Sequence, residues 1–135
     1  MMFDEVTVAV AAGAHKKPFF NLDERVDMVS EAVKGIKGVK VDSYSGLMVD
    51  YIKKIKRRIV IRGLRALSDF EYEFQLALLN KKMAGDGIEL IYLMPDEKYL
   101  YISSSSVKEI ATHGGNVSEF VHPYVAKKLK GKYKV

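Results

Sequence analysis

Short apolar runs alternate along the chain with longer stretches in which apolar residues recur every three or four positions. Val6-Thr7-Val8-Ala9-Val10-Ala11 is short and rich in β-branched residues, which predicts a buried strand. Asn21-Leu22-Asp23-Glu24 has the spacing of a helix start, with Asn as cap and Glu three residues on. Leu22, Val26, Val29 and Val33 then recur at helical spacing until Gly35 and Gly38 end the run, and Val39-Lys40-Val41 predicts a second strand. Leu47, Met48, Tyr51, Ile52 and Ile55 outline the apolar face of another helix. Arg58-Ile59-Val60-Ile61 predicts a third strand, broken by Gly63. A helix from about Ser68 is expected to turn Phe70, Phe74, Ala77 and Leu78 inward. Residues 88–94 predict a fourth strand, stopped by Pro95. Ser106-Val107-Lys108-Glu109 has capping-box spacing before Ile110 and Ala111. A last helix is expected to begin at Pro123 and to run through Val125, Ala126 and Leu129.

Strands alternating with helices imply an α/β fold with a mostly parallel sheet covered on both faces. No linker, repeat or low-complexity segment interrupts the 135 residues, so a single domain over 1–135 is expected.

Composition narrows the function classes. Hydrophobic residues at 48% and charged residues at 29% are ordinary for a globular protein. The absence of cysteine excludes disulfides, thiolate metal sites and a Cys nucleophile, and is compatible with a reducing cytoplasm. The formal charge of +5 invites a nucleic-acid reading, but its location opposes one. Lys127, Lys128, Lys130, Lys132 and Lys134 fall within the last nine residues, which hold no acid; without them 17 basic residues face 17 acidic ones. A phosphate-tracking surface is normally spread over the folded body, whereas basic residues suit a solvated helix C-terminus. No nucleic-acid partner is expected. No apolar run approaches the roughly 18 to 20 residues of a bilayer span, and residues 6–12 lack the basic leader of a signal peptide, so neither a membrane nor secretion is expected.

In open α/β sheets ligands sit beyond the carboxyl ends of the strands, and three segments occupy such positions. Gly13-Ala14-His15-Lys16-Lys17-Pro18 follows the first strand; its lysines suit a phosphate, although a solvated pair is the plainer reading. Arg62-Gly63-Leu64-Arg65 follows the third strand and leads to Asp69-Phe70-Glu71-Tyr72-Glu73. Two arginines flanking a glycine suit bidentate recognition of oxygen, against the alternative of an exposed strand–helix turn. Tyr99-Leu100-Tyr101-Ile102-Ser103-Ser104-Ser105-Ser106 offers hydroxyls and backbone N–H groups at a helix start, more than one cap requires. His113 and His122 read as surface and turn residues. No metal-ligand spacing, Gly-x-Ser-x-Gly elbow, dinucleotide fingerprint or P-loop occurs.

Together the segments Lys16-Lys17-Pro18 with Leu22-Asp23-Glu24-Arg25, Ile61-Arg62-Gly63-Leu64-Arg65, Asp69-Phe70-Glu71-Tyr72-Glu73 and Ile102-Ser103-Ser104-Ser105 resemble the bacterial phosphopantetheine adenylyltransferases in order and spacing. The resemblance covers residues 3 to about 129. It implies a Rossmann-like nucleotidyltransferase fold and transfer of an adenylyl group from ATP to 4′-phosphopantetheine. The products would be dephospho-coenzyme A and pyrophosphate, with Mg2+ assisting, in coenzyme A biosynthesis. By the same resemblance Lys16 and Arg62 hold the acceptor phosphate, and Leu47 and Met48 line the pantetheine channel. Gly63, Leu64, Arg65, Glu73, Tyr99, Leu100, Tyr101, Ile102, Ser103, Ser104 and Ser105 bind ATP, with Arg65 and Ser104 stabilising charge on the transferring phosphates. Coenzyme A as a further ligand, a cytoplasmic location and a homohexamer are also implied.

The family opens with a strand and a Gly-Thr-Phe-Asp-Pro…Gly-His segment, and no counterpart precedes Met1-Met2-Phe3-Asp4 here. The expectation is therefore a chain lacking its first strand and helix, roughly 25 residues by average element lengths, and the family histidine. Such a chain would be nearly inactive as written, whether an internal start methionine or a fragment explains it. Two alternatives remain open on sequence alone: a related adenylyl- or cytidylyltransferase with another acceptor, and a non-catalytic module binding coenzyme A or a nucleotide.

Overall fold

A computed structural model describes residues 2–13, 18–64 and 67–133. The elements in chain order are β1 (Val6–Ala11), α1 (Leu22–Ala32), β2 (Val39–Tyr44), α2 (Met48–Lys54), β3 (Ile59–Gly63), α3 (Leu67–Ala84), β4 (Glu89–Leu93), α4 (Ser104–Thr112) and α5 (Pro123–Tyr133). Short 3₁₀ turns cover Gly85–Gly87 and Glu97–Tyr99. The chain forms two compact units, one made of Met1–Tyr44 with Ile102–Val135 and the other of Ser45–Tyr101.

In the first unit β1 pairs in parallel with β2, from Val6 opposite Val39 to Ala11 opposite Tyr44. β2 is thus longer than its apolar core Val39-Lys40-Val41 suggests. The pairing with β1 continues through Asp42 and Ser43, residues of low strand propensity that β1 holds in register. Helix α1 packs on both strands. Its start is the capping box expected: the Asn21 side chain accepts from the Glu24 N–H, and Glu24 accepts from the Asn21 N–H, both at 2.8 Å. The buried residue of α1 is Met28, a position that the Leu22/Val26/Val29/Val33 series passes over. Gly38, at φ +79°, turns the chain into β2, and a Cβ there would collide with the Asp4 carbonyl oxygen.

The core of this unit lies where α4 and α5 meet, with Val107, Ala111, Val117, Ala126 and Leu129 buried against Phe19, Phe20 and Phe120. Val107 and Ala111 are one helical turn apart on α4, as are Ala126 and Leu129 on α5, so each helix contributes one stripe. Pro123 is the first residue of α5, as its fixed φ favours. Helix α4 begins three residues earlier than the Ser106 signal suggests. Ser103, in extended conformation, is its N-cap and accepts from the Ser106 N–H at 3.0 Å. In a run of four serines any one supplies the oxygen, and backbone conformation selects among them.

In the second unit β3 pairs in parallel with β4, from Ile59 opposite Glu89 to Gly63 opposite Leu93. Gly63 closes the strand rather than breaking it. Helix α2 buries Tyr51 and Ile52 and half-buries Met48 and Ile55, as the expected face requires; Val49 is buried with them, and Leu47, its N-cap residue, is exposed.

Helix α3 departs further. Phe70, Phe74 and Leu78 are 52%, 51% and 56% exposed. The half-buried stripe is Glu73, Leu76, Ala77 and Asn80, at spacing i, i+3, i+4 and i+7. Apolar residues surround this helix on several sides, Tyr72, Leu79 and Met83 among them, so periodicity alone cannot select the inward face. No helix among the described residues is long and apolar enough to cross a membrane.

Candidate active site

The strand ends and their following segments carry the residues singled out above. Ala14, His15, Lys16 and Lys17 lie outside the described residues, as do Arg65, Ala66 and Lys134. The backbone leading into the first of these segments is anchored by Arg25 of α1. Its Nη1 donates to the Ala11 carbonyl at 2.7 Å and its Nη2 to the Ala12 carbonyl at 3.1 Å. Arg25 was legible in sequence only as part of a family-like tetrapeptide. Its work, holding the end of β1, needs a contact fourteen residues away.

The second unit holds the most structured polar cluster. Arg62, on β3, directs Nε to Glu73 Oε2 at 2.5 Å and Nη2 to Oε1 at 2.6 Å, a bidentate ion pair. The Glu73 side chain is 12% exposed and that of Arg62 34%. The pair therefore sits in the seam between β3 and the inward stripe of α3. Tyr92 of β4 stands in register with Arg62 and donates its hydroxyl to the Glu73 backbone carbonyl at 3.0 Å. Burial, and next the charge of Glu73, raise the Tyr92 pKa above its usual value, so the hydroxyl stays protonated. Nothing in the sequence marked Tyr92, which reads as one more strand aromatic.

Gly63 follows Arg62, and among the described residues a Cβ added there would meet only the Leu93 carbonyl, at 4.0 Å, so packing against them does not require glycine. The Leu64 N–H donates to the same carbonyl at 3.0 Å, carrying the β3–β4 ladder one step past the strand. Tyr99, Leu100 and Tyr101 are exposed beyond the 3₁₀ turn, with Lys98 Nζ 5.0 Å from the Tyr99 ring centre.

Ile102, Ser103, Ser104 and Ser105 belong to the first unit. Ser103 is committed to capping, its Oγ also 2.7 Å from that of Ser106. Ser104 and Ser105 lie exposed in the first turn of α4, where backbone N–H groups lack helical partners. Arg62, Gly63, Leu64 and Glu73 are thus brought together in one unit, with Leu47 and Met48 elsewhere in it, while the serines stand at the α4 start in the other.

The same first unit has an open groove of about 540 Å³ lined by Phe20, Glu24, Tyr124, Lys127, Lys128, Gly131 and Lys132. None of the residues expected from sequence to bind ATP or the acceptor lines it, although Glu24 and three lysines of the basic tail do. Among the described residues no group of three His, Asp or Glu side chains is arranged to hold a metal ion.

The family model for cytidylyltransferase-like proteins matches residues 1–110, which include both β–α segments and the serine run. The chain is 54% identical to the phosphopantetheine adenylyltransferase of Dictyoglomus turgidum, over 99% of this chain and 83% of that protein. It is 49% identical to that of Thiobacillus denitrificans, over 97% of this chain and 81% of that protein. This chain belongs to the phosphopantetheine adenylyltransferase family. Identity to the Caldanaerobacter subterraneus member is likewise 49%, over 98% of the chain. Membership agrees with the parallel pairing of both strand pairs and with the α/β order of the elements.

Proposed function

We propose that this chain transfers the adenylyl group of ATP to 4′-phosphopantetheine, giving dephospho-coenzyme A and pyrophosphate. Identity near one half across almost the whole chain to enzymes of that name carries the reading. The acceptor phosphate oxygen attacks the α-phosphorus of ATP, and the bond to the departing pyrophosphate breaks. Such a transfer needs positioning and charge stabilisation, with no covalent enzyme intermediate.

On this reading Arg62 and Lys16 grip the acceptor phosphate, while Leu47 and Met48 line the path of its pantetheine arm. Gly63, Leu64, Glu73 and residues 99–105 receive ATP, with Arg65 and Ser104 stabilising charge as it develops on the phosphates. The glycine at 63, which packing against the described residues does not demand, supports close approach of a ligand to the backbone there. The unfilled N–H groups at the start of α4 support an anion beside Ser104. The magnesium ion of this proposal is read as arriving on the ATP phosphates, which are its usual ligands. The family match, unbroken through residues 1–110, supports one nucleotidyltransferase-like domain. A homohexamer in the cytoplasm completes the proposal.

The test is pyrophosphate release with ATP and 4′-phosphopantetheine supplied singly and together. Release that requires both supports the reading. Equal release with nicotinamide mononucleotide as acceptor overturns the acceptor assignment, and binding of coenzyme A without any release supports a non-catalytic module instead.

A further inference from the structure

Arg25 stands half-buried on α1 and spends its guanidinium on backbone. Nη1 donates to the Ala11 carbonyl at 2.7 Å, Nη2 to the Ala12 carbonyl at 3.1 Å and Nε to the Asn21 carbonyl at 3.4 Å. Successive carbonyls of an extended strand point to opposite sides, so one guanidinium meets both only where the chain has begun to turn. Gly13 follows at φ +81°, the left-handed region that favours glycine. Arg25 and Gly13 together set the direction in which the chain leaves β1.

The chain is fixed again shortly after. Phe19 stacks on Tyr133 of α5 with ring centres 4.8 Å apart, and meets Phe20 edge-on at 5.0 Å. Both phenylalanines pack on the buried core of α4 and α5. The short connection between these two anchored ends carries Lys16, beyond the carboxyl end of β1, where open α/β sheets take their ligands. Ala11 is exposed, so water could satisfy its carbonyl without help from a side chain. What a planar fork adds, and water does not, is a fixed direction.

We propose that Arg25 is a positioning residue for the acceptor-phosphate site, fixing the turn out of β1 from which the connection bearing Lys16 departs. This rests on the reading of Lys16 as a ligand of the acceptor phosphate. Arg25 acts through the backbone and touches no substrate.

The experiment is calorimetric titration of the folded protein with 4′-phosphopantetheine and, separately, with ATP. Arg25→Gln keeps an amide donor and removes the charged fork. The expected result is acceptor binding weakened about tenfold to a hundredfold, the loss that a displaced binding group brings, with ATP binding nearly unchanged. Arg25→Lys should recover little, since an ammonium is a point charge and cannot hold two carbonyls in one plane. Asn21→Ala is the comparison for a merely structural role. It removes the cap of the same helix and should lower Tm while leaving acceptor affinity intact.

Unchanged acceptor binding in Arg25→Gln overturns the proposal, as does an equal loss of ATP binding. Weakening of the acceptor to the same degree in Asn21→Ala also overturns it, because Arg25 would then be a support of α1 alone. If Arg25→Gln fails to fold, Arg25→Lys decides: full acceptor affinity there overturns the proposal, and selective loss upholds it. If Lys16→Ala leaves acceptor binding intact, the underlying reading of Lys16 fails, and that outcome is distinct from all of these.

Discussion

Two helix seams in this molecule carry ion pairs, and they are built on opposite logic. In the first unit α5 buries Ala126 and Leu129 in the core it shares with α4, and its ion pairs to α1 are partly exposed at the side. Lys132 reaches Glu24 at 2.7 Å, while Asp27 takes Lys128 at 3.0 Å and the Tyr124 hydroxyl at 2.7 Å. In the second unit the charges lie in the seam itself, beside Leu76 and Ala77, and the large side chains of Phe70, Phe74 and Leu78 lie outside it. Rim pairs add little to a contact that packing has already made. A pair drawn inward is a poor source of stability, and its presence marks a place where geometry of charge is needed. On the proposed function, the inverted helix, with its acid inward and Phe70, Tyr72 and Phe74 outward, borders the site.

The contrast breaks most decisively at Arg62. Arg62→Ala is expected to lower kcat/KM for 4′-phosphopantetheine by about a hundredfold to a thousandfold, the loss typical of one preorganised charge donor. Arg62→Lys should recover little of it, since an ammonium cannot reproduce the planar fork. Steady-state kinetics on both substrates checks this, and an intact rate in Arg62→Ala would place the functional seam elsewhere.

The rim seam should respond in stability instead. Leu129→Ala removes a side chain 3% exposed at the centre of the α4–α5 core and is expected to cost about 2 to 4 kcal/mol. Thermal or denaturant melts would show it, with KM values held.

A smaller effect is expected from pH. The hydrogen bond from Lys132, then that from the Asn21 backbone, lowers the Glu24 pKa; the hydrogen bonds from Tyr124 and then Lys128 lower that of Asp27. A carboxyl group whose folded pKa lies below its unfolded value lends stability that is complete above the unfolded value and lost as pH falls through the folded one. The loss is therefore expected to begin as pH falls below about 4.5 for Glu24 and below about 3.8 for Asp27, their ordinary values. Lys132→Met should lower Tm slightly at neutral pH and converge on the parent as the medium becomes acidic. A difference that persisted unchanged in acid would mean that the lysine acts through its methylene stem over the Phe20 ring, which its Nζ approaches to 4.9 Å.

Most elements were legible because each has one dominant cause. The capping box of Asn21 and Glu24, the Pro123 start of α5 and the β-branched run of β1 are local signals, and the elements stand where those signals place them. The inward face of α3 was not legible, because apolar residues at 70, 72, 74, 78, 79 and 83 satisfy several helical stripes at once. The face that turns inward carries Glu73, whose partner Arg62 belongs to another element. Within the candidate site, Arg62, Gly63 and Glu73 were found as a motif, but their pairing and the role of Tyr92 depend on strand register. The start of α4 was misplaced by three residues for the simplest reason, a run of chemically equivalent caps.

Gly38 carries a consequence for how this protein tolerates change. Gly35 and Gly46 share its positive φ but have open space around them, whereas at 38 the carbonyl of Asp4 occupies the volume that any side chain would need. In a saturation library, asparagine should survive at 35 and 46 and be purged at 38. One crossing of the backbone thereby freezes a single letter of the sequence, and its history should be shorter than that of the glycines on either side.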